Sequence, residues 1–218
     1  MAKIIKGILG EVSGLVGSVV GAVVRGVATI RSRPKKSTKP PVQSQVNQRT
    51  KFGIATDFIT SAKRVVDIGF QSYKNRMSPS NAAVQDLLNN AITGVAPNFK
   101  IDYPNVTLSK GSLPDSPSMK LLPPVAGAQL VVTWNPVELG EEDALVYGQD
   151  LTVFMVYDED ANRFLFLVRA ASREAGRREL DLPYFFVGDK LHVWVFFVSP
   201  DGKSVSTSQY LGSGIAIP

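Results

Sequence analysis

The sequence predicts an α+β protein in three parts, and three changes of pattern along its 218 residues support this prediction. Residues 1–42 are rich in glycine and basic side chains, residues 43–98 repeat apolar side chains every three to four positions, and residues 99–218 contain short apolar runs of period two. A repeat near 3.6 is typical of an amphipathic helix, and a repeat of two is typical of a strand. We therefore expect a basic glycine-rich arm and linker, a small helical layer and a C-terminal β-sandwich.

The first apolar stretch, residues 7–24, has some features of a targeting segment and lacks others. Lys3 and Lys6 precede it as in a signal peptide, but Glu11 interrupts it and no small-residue cleavage motif follows. A bilayer span needs about 20 clean apolar residues, whereas this stretch contains five glycines and the glutamate. We expect neither a signal peptide nor a transmembrane helix, and hence a location in a virion or in the bacterial cytoplasm.

Two conformations fit the same glycine-rich stretch. On a helix the glycines would form one stripe, as in the small-xxx-small faces that pack helices together. On strands, residues 19–24 and 27–31 would pair across a two-residue turn at Arg25 and Gly26. Valine dominates both segments, and β-branched residues favour strands over a helix in water. The hairpin is therefore the preferred prediction.

The apolar spacing predicts an amphipathic helix, or a broken pair of helices, over about residues 43–75. Gly69 is expected to mark a bend or an end in this segment. Ser78 and Pro79 supply the cap and first turn of a further helix, and Gly94 stands where its C-terminal cap is expected.

After Pro97, seven segments have the period and the flanking turns of strands: 106–109, 130–134, 151–157, 164–168, 179–182, 191–198 and 204–208. Seven short strands, with Trp134 on the second, are typical of a fibronectin III-like or immunoglobulin-like sandwich. Leu191 occupies the position where a tyrosine corner is expected, so the sequence leaves the topology open.

The predicted strands carry apolar side chains on both faces, which an antiparallel sheet with one wet face does not. In residues 191–198 one face holds four apolar side chains and the other holds Trp194 and Phe196; Phe164 and Phe166 lie on a second such strand. Either the helices of residues 43–92 or another subunit covers this face, with cover by the same chain preferred. The four aromatic residues are the candidate interface: Trp194, Phe196, Phe164 and Phe166.

The net charge of +5 is unevenly distributed. Residues 1–56 hold ten basic residues against Glu11 alone, a net charge of +9, and the remainder of the chain carries −4. The densest cluster is the candidate site for nucleic acid or another polyanion: Arg31, Arg33, Lys35, Lys36 and Lys39. Such a cluster can neutralise phosphates, and the absence of interleaved aromatics predicts sequence-independent contact. A solvated linker explains it equally well.

The composition argues against an enzyme. The chain has no cysteine, and His192 is its one histidine, so thiolate metal sites and most catalytic triads lack parts. His192 is expected to be a structural strand residue. The acidic clusters at 138–143 (Glu138, Glu141, Glu142, Asp143) and 158–160 are interpreted as a solvated loop and a turn. We expect no catalytic residue, metal, cofactor or small-molecule substrate.

Ordered motifs run through nearly the whole chain. They are Gly7-Ile-Leu-Gly10, Ser13-Gly14-x-Val16-Gly17-x-Val-Val-Gly21, Ile30-Arg-Ser-Arg-Pro34, Gln48-Arg49-x-Lys-Phe52, Ile68-Gly-Phe-x-Ser-Tyr73, Asn81-Ala-Ala83, Ala91-Ile-Thr-Gly94, Ile101-Asp-Tyr103, Leu108-Ser-Lys-Gly-Ser-Leu-Pro114 and Val205-Ser-x-Ser-x-Tyr-Leu-Gly212. Through them the chain resembles a family of Bacteroidota proteins catalogued as a domain of unknown function. The hairpin, the arginine-rich stretch and the spacing of Gln45, Arg49 and Phe52 also resemble small proteins encoded among phage structural genes. Both resemblances imply a structural or phage-derived role.

The leading functional prediction is a non-enzymatic structural or assembly protein, a phage or prophage virion component that docks through its sandwich. Its partners would be further copies or other assembly subunits. The alternative is a nucleic-acid-associated protein that uses the basic arm without sequence preference. A membrane-associated role and an enzymatic role rank below both.

Overall fold

The structure is a computed structural model, and it describes residues 3–4, 10–24, 26–35, 38–73, 77–123, 127–138 and 140–217. Within it the chain forms two compact units that divide after Val42. The first unit is Met1–Val42 and the second is Gln43–Pro218. The helices and the sandwich therefore belong to one unit.

The N-terminal unit is an antiparallel sheet of four strands in sequential order. They are β1 (Lys3–Ile4), β2 (Val12–Val16), β3 (Val19–Val24) and β4 (Val27–Ser32). The preferred hairpin is confirmed, because β3 and β4 pair along their whole length from Val24 opposite Val27 to Val19 opposite Ser32. Gly17 and Gly26 adopt positive φ at the two tight turns, where a residue with a side chain would be strained.

Gly21 shows why this sheet needs glycine in a strand. It pairs with Gly14 on β2 and Ile30 on β4. A Cβ at Gly21 would overlap the backbone carbonyl of Val12, so no larger residue fits without moving the chain. Gly21 therefore allows close backbone approach within a sheet and is not part of a helix-packing face.

Three helices open the second unit: α1 (Gln43–Ser61), α2 (Lys63–Gly69) and α3 (Pro79–Asn90). The broken pair over residues 43–75 is confirmed, and α2 ends at Gly69 as expected. The predicted cap is confirmed too, since the Ser78 hydroxyl accepts a hydrogen bond from the Asn81 amide (3.2 Å). A Cβ at Gly69 would overlap the Leu108 carbonyl, which explains the glycine at this helix end.

The interpretation of Gly94 as a helix cap is wrong. α3 ends four residues earlier, and a short hairpin follows it: β5 (Ile92–Val95) and β6 (Asn98–Ile101). Gly94 lies within β5 at φ +95°, and a Cβ there would overlap the Asn98 carbonyl. The glycine allows β5 and β6 to pair closely. The helical periodicity of the preceding residues gave no indication of this hairpin.

Seven further strands form the predicted sandwich: β7 (Lys120–Leu121), β8 (Gln129–Thr133), β9 (Leu151–Asp158), β10 (Arg163–Ser172), β11 (Arg177–Asp181), β12 (Lys190–Val198) and β13 (Gln209–Ile215). A short helix, α4 (Glu141–Tyr147), connects β8 to β9. One antiparallel sheet has the order β10-β9-β12-β13 and the other β11-β8-β7. The fold is therefore α+β with a fibronectin III-like sandwich, as predicted.

Two of the seven predicted strands do not form where the sequence placed them. Residues 106–109 and 204–208 form no extended ladder; β7 and β13 are the first and last strands of the sandwich instead. Hydrogen bonds of serine hydroxyls join the two segments. The Ser109 hydroxyl donates to the Ser206 carbonyl (2.6 Å), and the Ser208 hydroxyl accepts from the Leu108 amide (2.8 Å). These side-chain bonds satisfy the backbone groups that a ladder would otherwise use.

The second unit has two apolar cores, one on each face of the four-stranded sheet. Alternate residues of β9 and β12, such as Phe154 and Phe197, face the three-stranded sheet. Trp194 and Phe196 lie in the other core, with apolar residues of the three helices. The Phe58 ring of α1 lies 6.5 Å from the Trp194 ring, centroid to centroid.

The candidate interface on the sandwich is therefore corrected. Trp194 and Phe196 are 0% and 2% exposed, and Phe164 and Phe166 pack against the same core. The helices of the same chain cover this face, which confirms the preferred of the two kinds of cover. An aromatic side chain held in such a core cannot also contact another molecule without displacing the helices.

Candidate interaction surface

The β3–β4 register divides the N-terminal sheet into two faces, because directly paired residues point to the same side. One face, here called the basic face, carries Leu15, Val20, Val24, Val27 and Arg31. Leu15, Val24 and Val27 expose 41%, 60% and 62% of their surface. This face thus combines unburied apolar side chains with a cation.

The opposite face is also unburied. Val16, Val19 and Ile30 lie there, and Ile30 is 70% exposed. Gly21 is the one buried residue among residues 10–24, 26–35 and 38–42. A small sheet normally requires an apolar face that is packed against something, so this sheet lacks a core among the described residues of its own unit.

Two of the predicted cations lie on a regular strand edge. Arg31 belongs to β4, and the Arg33 amide donates to the Ser18 carbonyl (2.8 Å), so pairing continues beyond the strand end. Residues two apart on an extended chain share one side at a spacing of roughly 7 Å. Lys35 and Lys39 are exposed, whereas Lys36 lies outside the described residues. Among the described residues no ion pair involves Arg31, Arg33 or Lys35.

A second exposed surface lies where the sequence predicted only a solvated loop. That segment contains α4, with Glu141, Glu142 and Asp143 in its first turn. Carboxylates there interact favourably with the helix dipole. We call residues 137–138 and 140–147 the acidic knob. The signal that could have revealed it was the apolar run after three acids, which is typical of a helix start.

The apolar side chains of the acidic knob face solvent. Leu145 is 87% exposed, Val146 68% and Val137 56%. Glu141 and Leu145 are four residues apart, as are Glu142 and Val146, so each carboxylate neighbours an apolar side chain on the helix surface. The acidic knob is thus acidic and apolar on the same surface.

Glu138 anchors the base of the acidic knob. Its carboxylate accepts hydrogen bonds from the Ser116 hydroxyl (2.6 Å), the Ser118 amide (2.7 Å) and the Ser118 hydroxyl (2.8 Å). Desolvation alone would raise the pKa of Glu138, but these hydrogen bonds outweigh it and hold the pKa below its ordinary value. Glu138 is therefore an anion whose hydrogen bonds join the base of the knob to residues 116–118.

The turn after β9 is an ordinary one, as predicted. The Asp158 carboxylate accepts from the amides of Asp160 and Ala161, both at 3.0 Å, and so closes the turn. No group of three or more His, Cys, Asp or Glu side chains with metal-binding geometry occurs in the part of the chain that the structure describes.

His192 lies in a buried aromatic cluster on the helix-facing side of the sandwich. Its Nε2 lies 3.2 Å from the Glu159 carboxylate and its Nδ1 lies 2.8 Å from the Tyr210 hydroxyl. A carboxylate can only accept, so Nε2 carries the proton and Tyr210 donates to Nδ1. The Tyr103 ring lies 4.1 Å from the imidazole, centroid to centroid. The histidine is thus enclosed by its partners, which is a structural arrangement and not an open general base.

Burial lowers the pKa of His192, although the hydrogen bond to Glu159 opposes this. Desolvation would raise the pKa of Glu159. The hydrogen bonds from His192 and Lys190 outweigh it and hold that pKa below its ordinary value. We expect the free energy of unfolding to be highest above about pH 7 and to decrease as the pH falls below 6.5, because the unfolded histidine binds a proton first. The Glu159 contribution is lost at still lower pH, as its carboxylate protonates.

The measurement is urea unfolding at pH 7.5 and pH 5.5 for the wild-type chain and for His192→Gln. The variant keeps a hydrogen-bonding side chain but does not titrate, so its stability should change less between the two conditions. An equal change in both chains would contradict the assignment of the effect to His192.

A cleft of about 640 Å³ lies between α1 and α3. Carboxamide and hydroxyl side chains line it above Ile59, Val84 and Leu88, and Lys51 is its one charged residue. Its lining includes no His, Asp or Glu side chain. No helix among the described residues is long and apolar enough to cross a membrane.

The fold and these surfaces define an α+β protein with a fibronectin III-like sandwich, a helical cover and an N-terminal basic sheet. The chain belongs to a family of unknown function (DUF6266), whose family model matches residues 11–212. No curated protein matches the chain. Among solved structures it is similar to the fn3 domain of the human collagen alpha-1(XX) chain, at 18% identity over 50% of this chain and 90% of that domain, with a TM-score of 0.31. The resemblance to a domain of unknown function is confirmed in this form.

Proposed function

We propose that this protein is a non-enzymatic structural protein that associates through its N-terminal sheet, as a phage or prophage virion component. The observation that supports the proposal is the exposure of Val and Ile side chains on both faces of that sheet. Exposed apolar patches of this kind mark interaction sites in soluble proteins.

The docking element differs from the sandwich that the sequence favoured. The helices already bury the outer face of the sandwich, where Trp194 and Phe196 lie. The N-terminal sheet has no comparable cover among its own described residues, and all six residues of β4 are exposed. β4 is also an edge strand, and an open edge of six residues can pair with another strand.

Association can be tested with the double variant Val27→Thr/Ile30→Thr, which changes one exposed residue on each face. Threonine retains β propensity, so the sheet should persist while its contact surface becomes polar. We expect sedimentation velocity to show the wild-type chain above the 23.6 kDa of one copy and the variant nearer to it. Val95→Thr, at an 82% exposed position on the β5–β6 hairpin, is the matched control and should behave as wild type. A wild-type chain that stays at one copy at every concentration would contradict self-association.

The spacing of Arg31 and Arg33 favours a second candidate, a sequence-independent nucleic-acid-binding protein. Two exposed cations on one side of an extended strand lie about 7 Å apart, a separation that suits successive charges on a polyanion. Residues 28–39 around them contain no aromatic side chain on which bases could stack. Contact would therefore reach the phosphates alone.

For this candidate, the triple variant Arg31→Gln/Arg33→Gln/Lys35→Gln should bind DNA more weakly than wild type in filter binding. The slope of log affinity against log salt should also flatten by about 0.9 for each phosphate that the variant no longer neutralises. A triple variant at Lys63, Lys190 and Lys203 removes the same charge from exposed positions of the second unit. Equal losses of affinity in both triple variants would show a general charge effect and contradict a site on the basic arm.

A further inference from the structure

The acidic knob and the basic face match each other in both charge and polarity. Glu141 and Glu142 stand beside exposed Leu145 and Val146 on the knob, and Arg31 shares the basic face with the exposed side chains of Leu15, Val24 and Val27. We infer that the acidic knob of one copy of this chain docks on the basic face of a second copy. This inference rests on the proposed function, since it names the partner and the contact through which the protein assembles.

The exposure of Leu145 supports a docking role for the knob. Its side chain is more exposed than that of any other large apolar residue in the described part of the chain. A single exposed leucine on a surface needs no explanation, but here Val146 and Val137 extend the exposed area around it. Such a cluster becomes buried when it contacts a surface that is itself apolar, and burial of apolar area is what stabilises the contact.

The dimensions of the two surfaces agree. α4 has seven residues and is therefore about 10 Å long. β2, β3 and β4 are adjacent strands, and three strands at about 4.8 Å spacing span about 10 Å between the outer two. The helix of the knob can thus lie across the width of the basic face, with its acidic turn directed toward the Arg31 edge.

The charges specify how copies combine. Two basic faces repel each other, and so do two acidic knobs, so the favourable contact joins a knob to a face. Such a contact uses different surfaces on the two copies and is therefore heterologous. Repetition of a heterologous contact produces a ring if the rotation closes and a filament if it does not. The contact should also weaken as salt screens the charges.

The test uses two charge-reversed full-length chains. One carries Glu141→Lys/Glu142→Lys/Asp143→Lys on the knob. The other carries Arg31→Glu on the basic face and Arg33→Glu directly beyond the end of β4. Each should remain near 23.6 kDa in sedimentation velocity, with its association constant lowered at least about tenfold. Mixed in equal amounts, the two chains should associate again, because a reversed knob then meets a reversed face.

The outcomes separate this inference from the proposed function. If wild type associates and Val27→Thr/Ile30→Thr weakens it, but the mixture of reversed chains stays at one copy, the sheet associates through another partner surface and the inference is overturned. If wild type itself stays at one copy, the proposed self-association fails first. A further variant, Leu145→Ser/Val146→Ser, removes the apolar contact without placing lysines in the first turn of α4. It should also lower association, and unaltered association in it would overturn the inference.

Discussion

Replacing Trp194 and Phe196 with serine is expected to abolish cooperative folding of residues 43–218. Both side chains are buried in the core that joins the sandwich to the helices. Truncation of a buried Trp or Phe costs about 3–5 kcal/mol each, and the introduced hydroxyls lose their hydrogen bonds to water. The sum is comparable to the total stability of a typical domain, about 5–15 kcal/mol. Thermal melts followed by circular dichroism measure the loss.

Two further variants make this prediction specific to the helical cover. Phe58→Ala removes the aromatic ring that α1 places beside Trp194 and Tyr157. It should destabilise the chain by about 3–5 kcal/mol, although Phe58 is not part of the sandwich. Tyr184→Ser changes an aromatic residue that is 86% exposed and should have little effect. An unchanged melting temperature in Phe58→Ala would mean that the helices do not stabilise this face.

The second large effect is expected at Arg173, a fully buried cation. Its guanidinium donates to the carbonyl of Pro114 (2.7 Å) and pairs with the Asp150 carboxylate (3.5 Å). It also lies 3.7 Å from the centroid of the Phe197 ring. Burial lowers the pKa of Arg173, and burial raises the pKa of Asp150 against the opposing effect of the arginine. Arg173 thus holds the segment around Pro114, which precedes β7, against the sandwich.

Arg173→Ala should destabilise the chain by about 3–5 kcal/mol, because it leaves the Asp150 carboxylate buried without its cation. The double variant Arg173→Met/Asp150→Asn removes both charges and should cost less than the single variants Arg173→Met and Asp150→Asn added together. Arg177→Ala is the matched control: its partner Glu179 is exposed, and exposed pairs contribute about 0–1 kcal/mol. Urea unfolding of these variants measures the differences. Equal losses of stability at Arg173 and Arg177 would contradict the role of burial.

The local patterns of the sequence determined much of the fold. Valine-rich runs around Gly26 predicted the N-terminal hairpin, and Ser78 predicted the start of α3. These predictions succeeded because they depend on backbone propensity and on hydrogen bonds between residues close in sequence. The two-sided apolar pattern of residues 191–198 also showed that the outer face of the sheet must be covered.

Tertiary structure alone decided what covers that face and where the candidate contacts lie. Apolar periodicity records that Trp194 is buried but does not record against which element, because Phe58 is more than a hundred residues away in the sequence. The same limit applies to Ser109 and Ser206, whose hydrogen bond joins two segments that were each predicted to be a strand. Leu145 is an apolar residue that remains exposed, and no spacing rule distinguishes it from a core leucine. Burial depends on which distant segments pack together. The burial of a residue therefore cannot be deduced from the local segment of sequence that contains it.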